Sequence, residues 1–278
     1  MRSTRMDWGR IVVPVTGGEL DAEALAVGVK AAERFGAELA VIYAPPDPSQ
    51  LTPWLGEGFV GGVQVQAIET LREAAHEGEA LVRREFGALP YAKKQFHALE
   101  TPVWRAMAVE CRLADLVIFG SAAARGEGPL AEAFELVLME ERAAVLVARS
   151  GPSGAPDPFG PALVAWDGGE PASRAARRAV PLLRQASSVT IAGAPPADRR
   201  CALEQLQAYY DLRGIKAAIQ PLNKTGDMAP VLMQTAQDAS ATLMVAGAFG
   251  RSRLREFVFG GTTRALLHAE APSLFVAH

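Results

Sequence analysis

The sequence predicts an α/β protein with two doubly wound parallel-sheet domains of five strands each, arranged as a tandem repeat. Three observations lead to this prediction. Short motifs recur in the same order in both halves, a segment rich in Pro, Gly and Ser separates the halves, and unbroken apolar runs alternate with longer amphipathic segments. Apolar runs without polar alternation are typical of strands buried on both faces, and the intervening helices cover those faces.

The repeat is visible in three pairs of motifs: a run closed by Gly-Gly-Glu, a run that ends in glycine, and the final run of each copy. The pairs are RIVVPVTGGE (10–19) with ALVAWDGGE (162–170), ADLVIFGS (114–121) with ATLMVAGA (241–248), and AAVLVAR (143–149) with PSLFVAH (272–278). Between the copies, RSGPSGAPDPFGP (149–161) has the composition of a linker. We therefore predict a first domain at 1–150 and a second at 160–278.

Each copy contains five runs with the length and composition of strands. They are 11–15, 39–44, 94–98, 115–119 and 143–148 in the first copy, and 162–166, 188–193, 216–220, 242–246 and 273–277 in the second. Because open sheet edges need cover, we expect the domains to pack as a pseudo-twofold pair through 143–148 and 273–277. The chain is then an intramolecular pseudo-dimer, and a homodimer of chains is also compatible with the sequence.

Composition and charge exclude several classes of protein. Hydrophobic residues make up 49% and charged residues 21% of the 278 residues, which is typical of a globular protein. The net charge of −3 gives no bulk attraction to nucleic acid. No apolar stretch approaches the ~18 residues of a membrane span, and the first ten residues are too polar for a signal peptide. We expect a cytoplasmic protein that binds neither nucleic acid nor membrane.

Cysteine and histidine supply no site of their own. The two cysteines and four histidines form neither a disulfide framework nor a metal-ligand spacing. No Ser-His-Asp set, Cys-His set or carboxylate pair emerges either. We therefore assign no catalytic residue and no metal ligand from the sequence.

The stretch GAFGRSRLREFVFGGTT (247–263) predicts a phosphate-binding site. Glycines let backbone N–H groups approach a ligand, and the helix pattern that follows offers unpaired N–H donors and a positive dipole end. Threonine hydroxyls there are able to donate to phosphate oxygens. The alternative is that the glycines form turns and a threonine caps the helix. The residues concerned are Gly247, Gly250, Gly260, Gly261, Thr262 and Thr263.

Asp167 is the second candidate ligand-binding residue. It follows the first strand of the second copy and precedes Gly168. A carboxylate at such a strand end accepts hydrogen bonds from ribose hydroxyls or an adenine amine, although capping of the next helix is an alternative role. Arg251, Arg253 and Arg255 either complement phosphate charge or form a solvated face.

The spacing Gly247-x2-Gly250-x9-Gly260 resembles the adenine-nucleotide motif of the universal stress protein family, in which serine or threonine follows the last glycine. The strand–Asp–Gly sequence at Asp167, the segment KTGDMAPVLMQTAQDAS (224–240) and the final PSLFVAH extend the resemblance. It implies a Rossmann-like fold of the adenine nucleotide alpha hydrolase-like type, a stress-response or regulatory role, and ATP or AMP, with or without Mg²⁺, at the switch point in strand order.

The resemblance also implies a role for each site residue. Asp167 faces the adenosine, and two alanines, Ala165 and Ala192, flank the adenine. The ribose and phosphates are lined by Gly247 and Gly250. The remaining residues cradle the phosphates: Gly260, Gly261, Thr262 and Thr263.

The two copies differ in how well they keep this pattern. In the second copy, Gly261 stands where the family has serine or threonine, so Thr262 is expected to substitute. In the first copy, Thr16 replaces Asp167, and no Gly-x-x-Gly or Gly-Gly-Thr-Thr follows Gly120. We therefore expect one nucleotide per chain, in the C-terminal domain, with hydrolysis slow or absent.

Two other functions stay open. TGGELDAEAL (16–25) resembles the Ser-Gly-Gly-x-Asp-Ser loop of ATP pyrophosphatases, with one extra residue before Asp21 and Ala22 in place of the second serine. That likeness favours an ATP-using enzyme of pyrophosphatase or adenylyl-transfer type. The third function is an interaction scaffold without nucleotide. Separately, the 44–62 loop, with Trp54 and Phe59, is either a lid, a partner contact or a surface loop.

Overall fold

The protein divides into two compact units, which we describe separately. The computed structural model describes residues 8–19, 21–46, 62–100, 102–150, 157–194, 201–223, 227–248 and 261–278. Residues Gly9–Glu141 form the N-terminal unit, and Trp8 joins the residues from Arg142 to His278 in the C-terminal unit. The predicted 44–62 loop lies outside the described residues, except for 44–46 and Gly62.

The N-terminal unit is a parallel sheet with helical connections. Its described elements are β1 Arg10–Val15, α1 Asp21–Phe35, β2 Glu38–Tyr43, α2 Gly62–Ala88, β3 Lys94–Ala98, α3 Val103–Cys111, β4 Leu116–Gly120, α4 Ser121–Ala124 and α5 Ala131–Met139. The strands lie in the order β3-β2-β1-β4, and every pair among them is parallel. Strand order reverses between β1 and β4, so the switch point lies beyond the ends of these two strands.

The C-terminal unit has the same central order with two more strands. Its described elements are β5 Val145–Ala148, β6 Pro161–Ala165, α6 Glu170–Arg178, α7 Val180–Leu183, β7 Ser188–Gly193, α8 Leu203–Asp211, β8 Ala217–Pro221, α9 Met228–Asp238, β9 Leu243–Gly247, α10 Gly261–His268 and β10 Ser273–Ala277. The order is β5-β10-β9-β6-β7-β8, in which β10 and β5 are the two additional strands. All neighbours are parallel except β5 and β10, which run antiparallel with Phe275 opposite Leu146.

The predicted α/β class is confirmed, and each predicted strand is observed within three residues of its predicted bounds. One strand is placed differently from the expectation of five in each domain. β5 belongs to the first copy in sequence, yet it hydrogen-bonds to β10 and lies in the C-terminal unit. The two last strands are both fully buried, so pairing them satisfies backbone groups that would otherwise form an apolar sheet edge.

The core follows the apolar runs. Central strand residues such as Val12 in β1 and Leu163 in β6 are completely buried, because helices cover both faces of the sheet. Trp8 stacks on Phe275 at 6.4 Å between ring centroids and so packs against β10. Outer strands β3 and β8 carry polar residues and are only partly buried. None of the described helices is both long and apolar enough to span a membrane.

Candidate functional site

The switch point of the C-terminal unit lies between β6 and β9, and small residues line the strand ends there. Ala165, the last residue of β6, pairs in register with Ala192 of β7. Ala165 is half-buried and Ala192 is completely buried. These two adjacent alanines carry only methyl groups, so on their face of the sheet neither side chain would block a flat ring.

Asp167 is exposed at this edge, two residues beyond β6. Its Oδ1 accepts a hydrogen bond from the N–H of Gly169 at 2.8 Å, which braces the turn that leads into α6. Gly168 between them has a φ of +70°, a conformation that favours glycine. Gly17, at the equivalent position of the first copy, has a φ of +83°. The Asp-Gly-Gly turn thus has a local structural role beside any contact with a ligand.

Trp166 anchors the end of β6 through contacts that the sequence reasoning missed. Its backbone N–H donates to Ala192 O at 2.8 Å, and its indole Nε1 donates to Cys201 O at 2.9 Å. The N–H of Cys201 in turn donates to Gly168 O at 3.2 Å. These bonds hold both sides of Asp167 in place. Tryptophan after an apolar run is the one sequence signal, because a buried indole N–H needs an acceptor.

Gly247, the last residue of β9, is a glycine for a packing reason. A Cβ built on it would lie 2.5 Å from Pro171 C and 2.9 Å from Ala172 Cα, and it would also contact Ala172 N. The first turn of α6 therefore occupies the side of Gly247 where a side chain would project. Gly247 is expected from the sequence to lie close to a ligand, whereas the structure shows Gly247 close to the backbone of α6.

Helix α10 begins at Gly261, in the part of the chain where the phosphate site was predicted. Gly261 is exposed and a Cβ there would meet nothing within 4 Å, while Thr262 and Thr263 are half-buried. A helix that links two neighbouring parallel strands starts at the carboxyl edge of the sheet, the edge where Asp167 lies. Its first N–H groups have no partner within the helix. The other predicted residues of this motif lie outside the described residues: Gly250, Arg251, Arg253, Arg255 and Gly260.

At the switch point of the N-terminal unit, a carboxylate of the chain itself occupies the backbone donors. Asp21 Oδ2 accepts from the N–H groups of Thr16 and Gly17, each at 2.7 Å, and of Gly18 at 3.1 Å. Three successive N–H groups that converge on one oxygen form an anion nest. Asp21 stands where the second copy has Ala172, if the Gly-Gly-Glu motifs are aligned. Burial raises the pKa of Asp21, and the hydrogen bonds from Thr16, Gly17 and Gly18 only partly offset this rise.

Bulky side chains also fill the neighbouring strand end of the N-terminal unit. Ile42 and Tyr43 stand where the second copy has Ala192 and Gly193. Tyr43 is 1% exposed, and its hydroxyl donates to Ala75 O of α2 at 2.9 Å. Gly78 of α2 lies directly against that hydroxyl. Burial, followed by the negative charges of Glu79 and Asp21, raises the pKa of Tyr43, so the phenol stays protonated at neutral pH.

Two observations concern possible nucleophiles and metal ligands among the described residues. Cys111 is buried and its thiol pKa is raised by burial to about 12, so it is not a thiolate at neutral pH. Within the described ranges, no three His, Cys, Asp or Glu side chains come close enough to hold a metal ion.

Fold and strand-end geometry define a doubly wound α/β protein with its candidate site at a switch point. Residues 158–276 match the model of the universal stress protein family. No curated protein matches the chain at a significant level.

Two solved structures resemble almost the whole chain. A universal stress protein from Archaeoglobus fulgidus DSM 4304 has a TM-score of 0.69 at 16% identity, and the match covers 96% of this chain and 97% of that one. A functionally unknown protein from Pseudomonas aeruginosa PAO1 has a TM-score of 0.57 at 16% identity, with 97% and 92% covered. At this level of identity the likeness establishes the fold, and it extends that fold to the N-terminal half.

Proposed function

We propose that the chain is a universal stress protein with two domains, at about 1–150 and 160–278, that binds one ATP or AMP at the switch point of its C-terminal unit. One observation carries the proposal. The same strand-end position is lined by small residues in the C-terminal unit, whereas Asp21 and Tyr43 fill it in the N-terminal unit. This difference supports a nucleotide at the C-terminal switch point and disfavours one at the N-terminal switch point.

The base and ribose are assigned to the strand ends. Ala165 and Ala192 flank the adenine, since they are adjacent across β6 and β7 and carry only methyl groups. Asp167 is exposed beside them and accepts hydrogen bonds from the adenosine. Trp166 holds this edge through its bonds to Ala192 and Cys201.

The phosphates are assigned to the start of α10. Gly261 offers an N–H without a side chain in the way, and Thr262 and Thr263 add hydroxyl donors. Gly247, Gly250 and Gly260 complete the motif that the sequence predicts. Because the described residues hold no metal-binding cluster, any Mg²⁺ would enter with the phosphates, which are its usual ligands.

An enzyme of the pyrophosphatase type is the rival function, and one contact disfavours it. That function needs the N–H groups of the Thr16–Gly18 loop to face pyrophosphate. Asp21 already accepts all three of them, at 2.7, 2.7 and 3.1 Å. We accordingly propose a regulatory nucleotide binder in which hydrolysis, if measured, is far below the ~1 turnover per second of an ordinary enzyme. A steady rate above that value with the pure protein would contradict the proposal.

Replacing Asp167 by Asn tests the site and its asymmetry. The amide oxygen keeps an acceptor for the Gly169 N–H, so the turn is preserved, but one acceptor oxygen and the charge are lost. Hydrogen bonds to charged groups contribute ~1.5–3 kcal/mol, so we expect the dissociation constant for ATP to rise about 10- to 100-fold. The measurement is calorimetric titration, in which the unaltered chain gives one nucleotide per chain.

Thr16→Ala is the matched control, because Thr16 is the residue of the first copy aligned with Asp167. We expect its affinity for ATP to equal that of the unaltered chain. Two nucleotides per chain would contradict the proposed asymmetry. Loss of binding in the Thr16 variant alone would show that the nucleotide binds in the N-terminal unit instead. Binding of no adenine nucleotide by the unaltered chain would favour the scaffold function.

A further inference from the structure

Arg149 is a buried cation at the start of the linker between the two copies. It follows β5 directly and is 2% exposed. Its guanidinium Nη2 donates to Leu267 O at 2.7 Å and to Leu266 O at 2.9 Å, and Nη1 donates to Pro272 O at 3.2 Å. One side chain thus joins the last turn of α10 to the residue that precedes β10.

These carbonyls suit a cation for two physical reasons. The last carbonyls of a helix have no N–H partner within it, and they carry the negative end of the helix dipole. A guanidinium presents several donors in a fixed planar fork, so it is able to satisfy separate acceptors at once. Burial of a charge is costly unless such partners are supplied, and three of them are carbonyls of the described residues Leu266, Leu267 and Pro272.

The backbone of Arg149 is also fixed. Its N–H donates to Ser273 Oγ at 3.1 Å, and Ser273 Oγ donates to Arg149 O at 3.1 Å. Ser273 is 1% exposed and is the first residue of β10. The main chain of Arg149 is therefore bonded to the first residue of β10. These bonds fix the base of the Arg149 side chain relative to the β5–β10 pair.

Helix α10 connects this anchor to the proposed phosphate site. Its eight residues run from Gly261 to His268, a length of about 12 Å. The carbonyls that Arg149 binds lie in the last turn, and the proposed phosphate donors lie in the first turn. Rotation or fraying at the last turn would displace the first N–H groups, although Arg149 itself would touch no part of the nucleotide.

We propose that Arg149 is a positioning residue that holds α10 in the orientation needed to bind the phosphate groups of the nucleotide. The inference rests on the function proposed above. It also gives the first copy a role in the second site: β5 and Arg149 are contributed by residues upstream of the family-matched segment 158–276. The C-terminal copy alone would lack this anchor.

The test compares ATP with adenosine, because only ATP engages the phosphate end. For Arg149→Met in the full-length chain, we expect the dissociation constant for ATP to rise about tenfold, as for the loss of one charge-assisted hydrogen bond. The dissociation constant for adenosine should change less than about twofold, and Arg149→Lys should restore part of the ATP affinity. Tyr210→Phe, which removes a buried hydrogen bond to Ala176 O far along the chain from α10, should leave the ratio of the two constants unchanged.

A second measurement keeps the proposal falsifiable if Arg149→Met does not fold. In Arg149→Lys without nucleotide, amide hydrogens of α10 should exchange faster than in the unaltered chain, while those of α9 keep their rate. Unchanged exchange in α10, or parallel losses of ATP and adenosine binding, would overturn the role of Arg149 and leave the nucleotide site intact. If the unaltered chain bound neither ligand, the proposed function and this inference would both fall.

Discussion

A Gly247→Ala chain is expected to lose about 2–3 kcal/mol of its free energy of unfolding. The added Cβ would lie 2.5 Å from Pro171 C and 2.9 Å from Ala172 Cα, closer than real Cβ atoms approach other heavy atoms. Both neighbours are backbone atoms in the first turn of α6, so no flexible side chain is able to move aside. Forcing a group into a well-packed interior typically costs ~1–3 kcal/mol, and the rigid neighbours put this site near the upper end.

Gly261→Ala is the matched control for this prediction. A Cβ on Gly261 would meet nothing within 4 Å, and its φ is not in the left-handed region. Alanine also favours helices over glycine by up to ~1 kcal/mol, so this variant should be as stable as the unaltered chain or slightly more stable. Urea unfolding of the three chains decides the matter. Equal midpoints for Gly247→Ala and the unaltered chain would show that the packing of β9 against α6 is looser than the geometry indicates.

The second large effect is expected at Asp21. Asp21→Ala should lower the free energy of unfolding by about 2–3 kcal/mol, because three N–H groups lose their common acceptor and each buried unsatisfied donor costs ~1–3 kcal/mol. Water is able to reach the exposed Gly18, so the total destabilisation is smaller than the sum of the costs of three buried donors. Asp21→Asn keeps an acceptor oxygen and should lose less than half as much.

The pH dependence of stability, compared between the unaltered chain and Asp21→Asn, gives an independent check. The pKa of Asp21 is raised above its ordinary value of 3.8 because burial outweighs the hydrogen bonds to the carboxylate. The folded protein therefore holds this proton more tightly than the unfolded chain does. The contribution of this proton to the free energy of unfolding is fully present below pH 3.8 and is lost as the pH rises through the pKa of Asp21 in the folded protein. The stability of the unaltered chain relative to Asp21→Asn should fall over that interval, and a rise would mean that the carboxylate is favoured by its surroundings.

Local patterns were sufficient to predict the strands and the class of fold. The runs at β1 and β6 are recognisable because burial on both faces demands consecutive apolar residues, a signal contained within six residues. The Gly-Gly-Glu turns could be predicted from the local sequence as well, since Gly17 and Gly168 adopt positive φ values that only glycine takes freely. The family resemblance at 247–263 added chemistry, but two of its residues, Gly250 and Gly260, lie outside the described part of the chain.

By itself, then, the sequence determined the α/β class, the ten strands and the contrast between a motif-bearing half and a half without the motif. Only the tertiary structure decided which partners fill the space at each strand end. The carboxylate of Asp21 lies in a backbone nest, Gly247 accommodates a helix, and Arg149 donates to carbonyl groups 117 and 118 residues away along the chain. Short apolar patterns record whether a residue is buried, whereas a pairing of distant segments depends on which surfaces meet after the chain collapses, and that information is spread over the whole molecule.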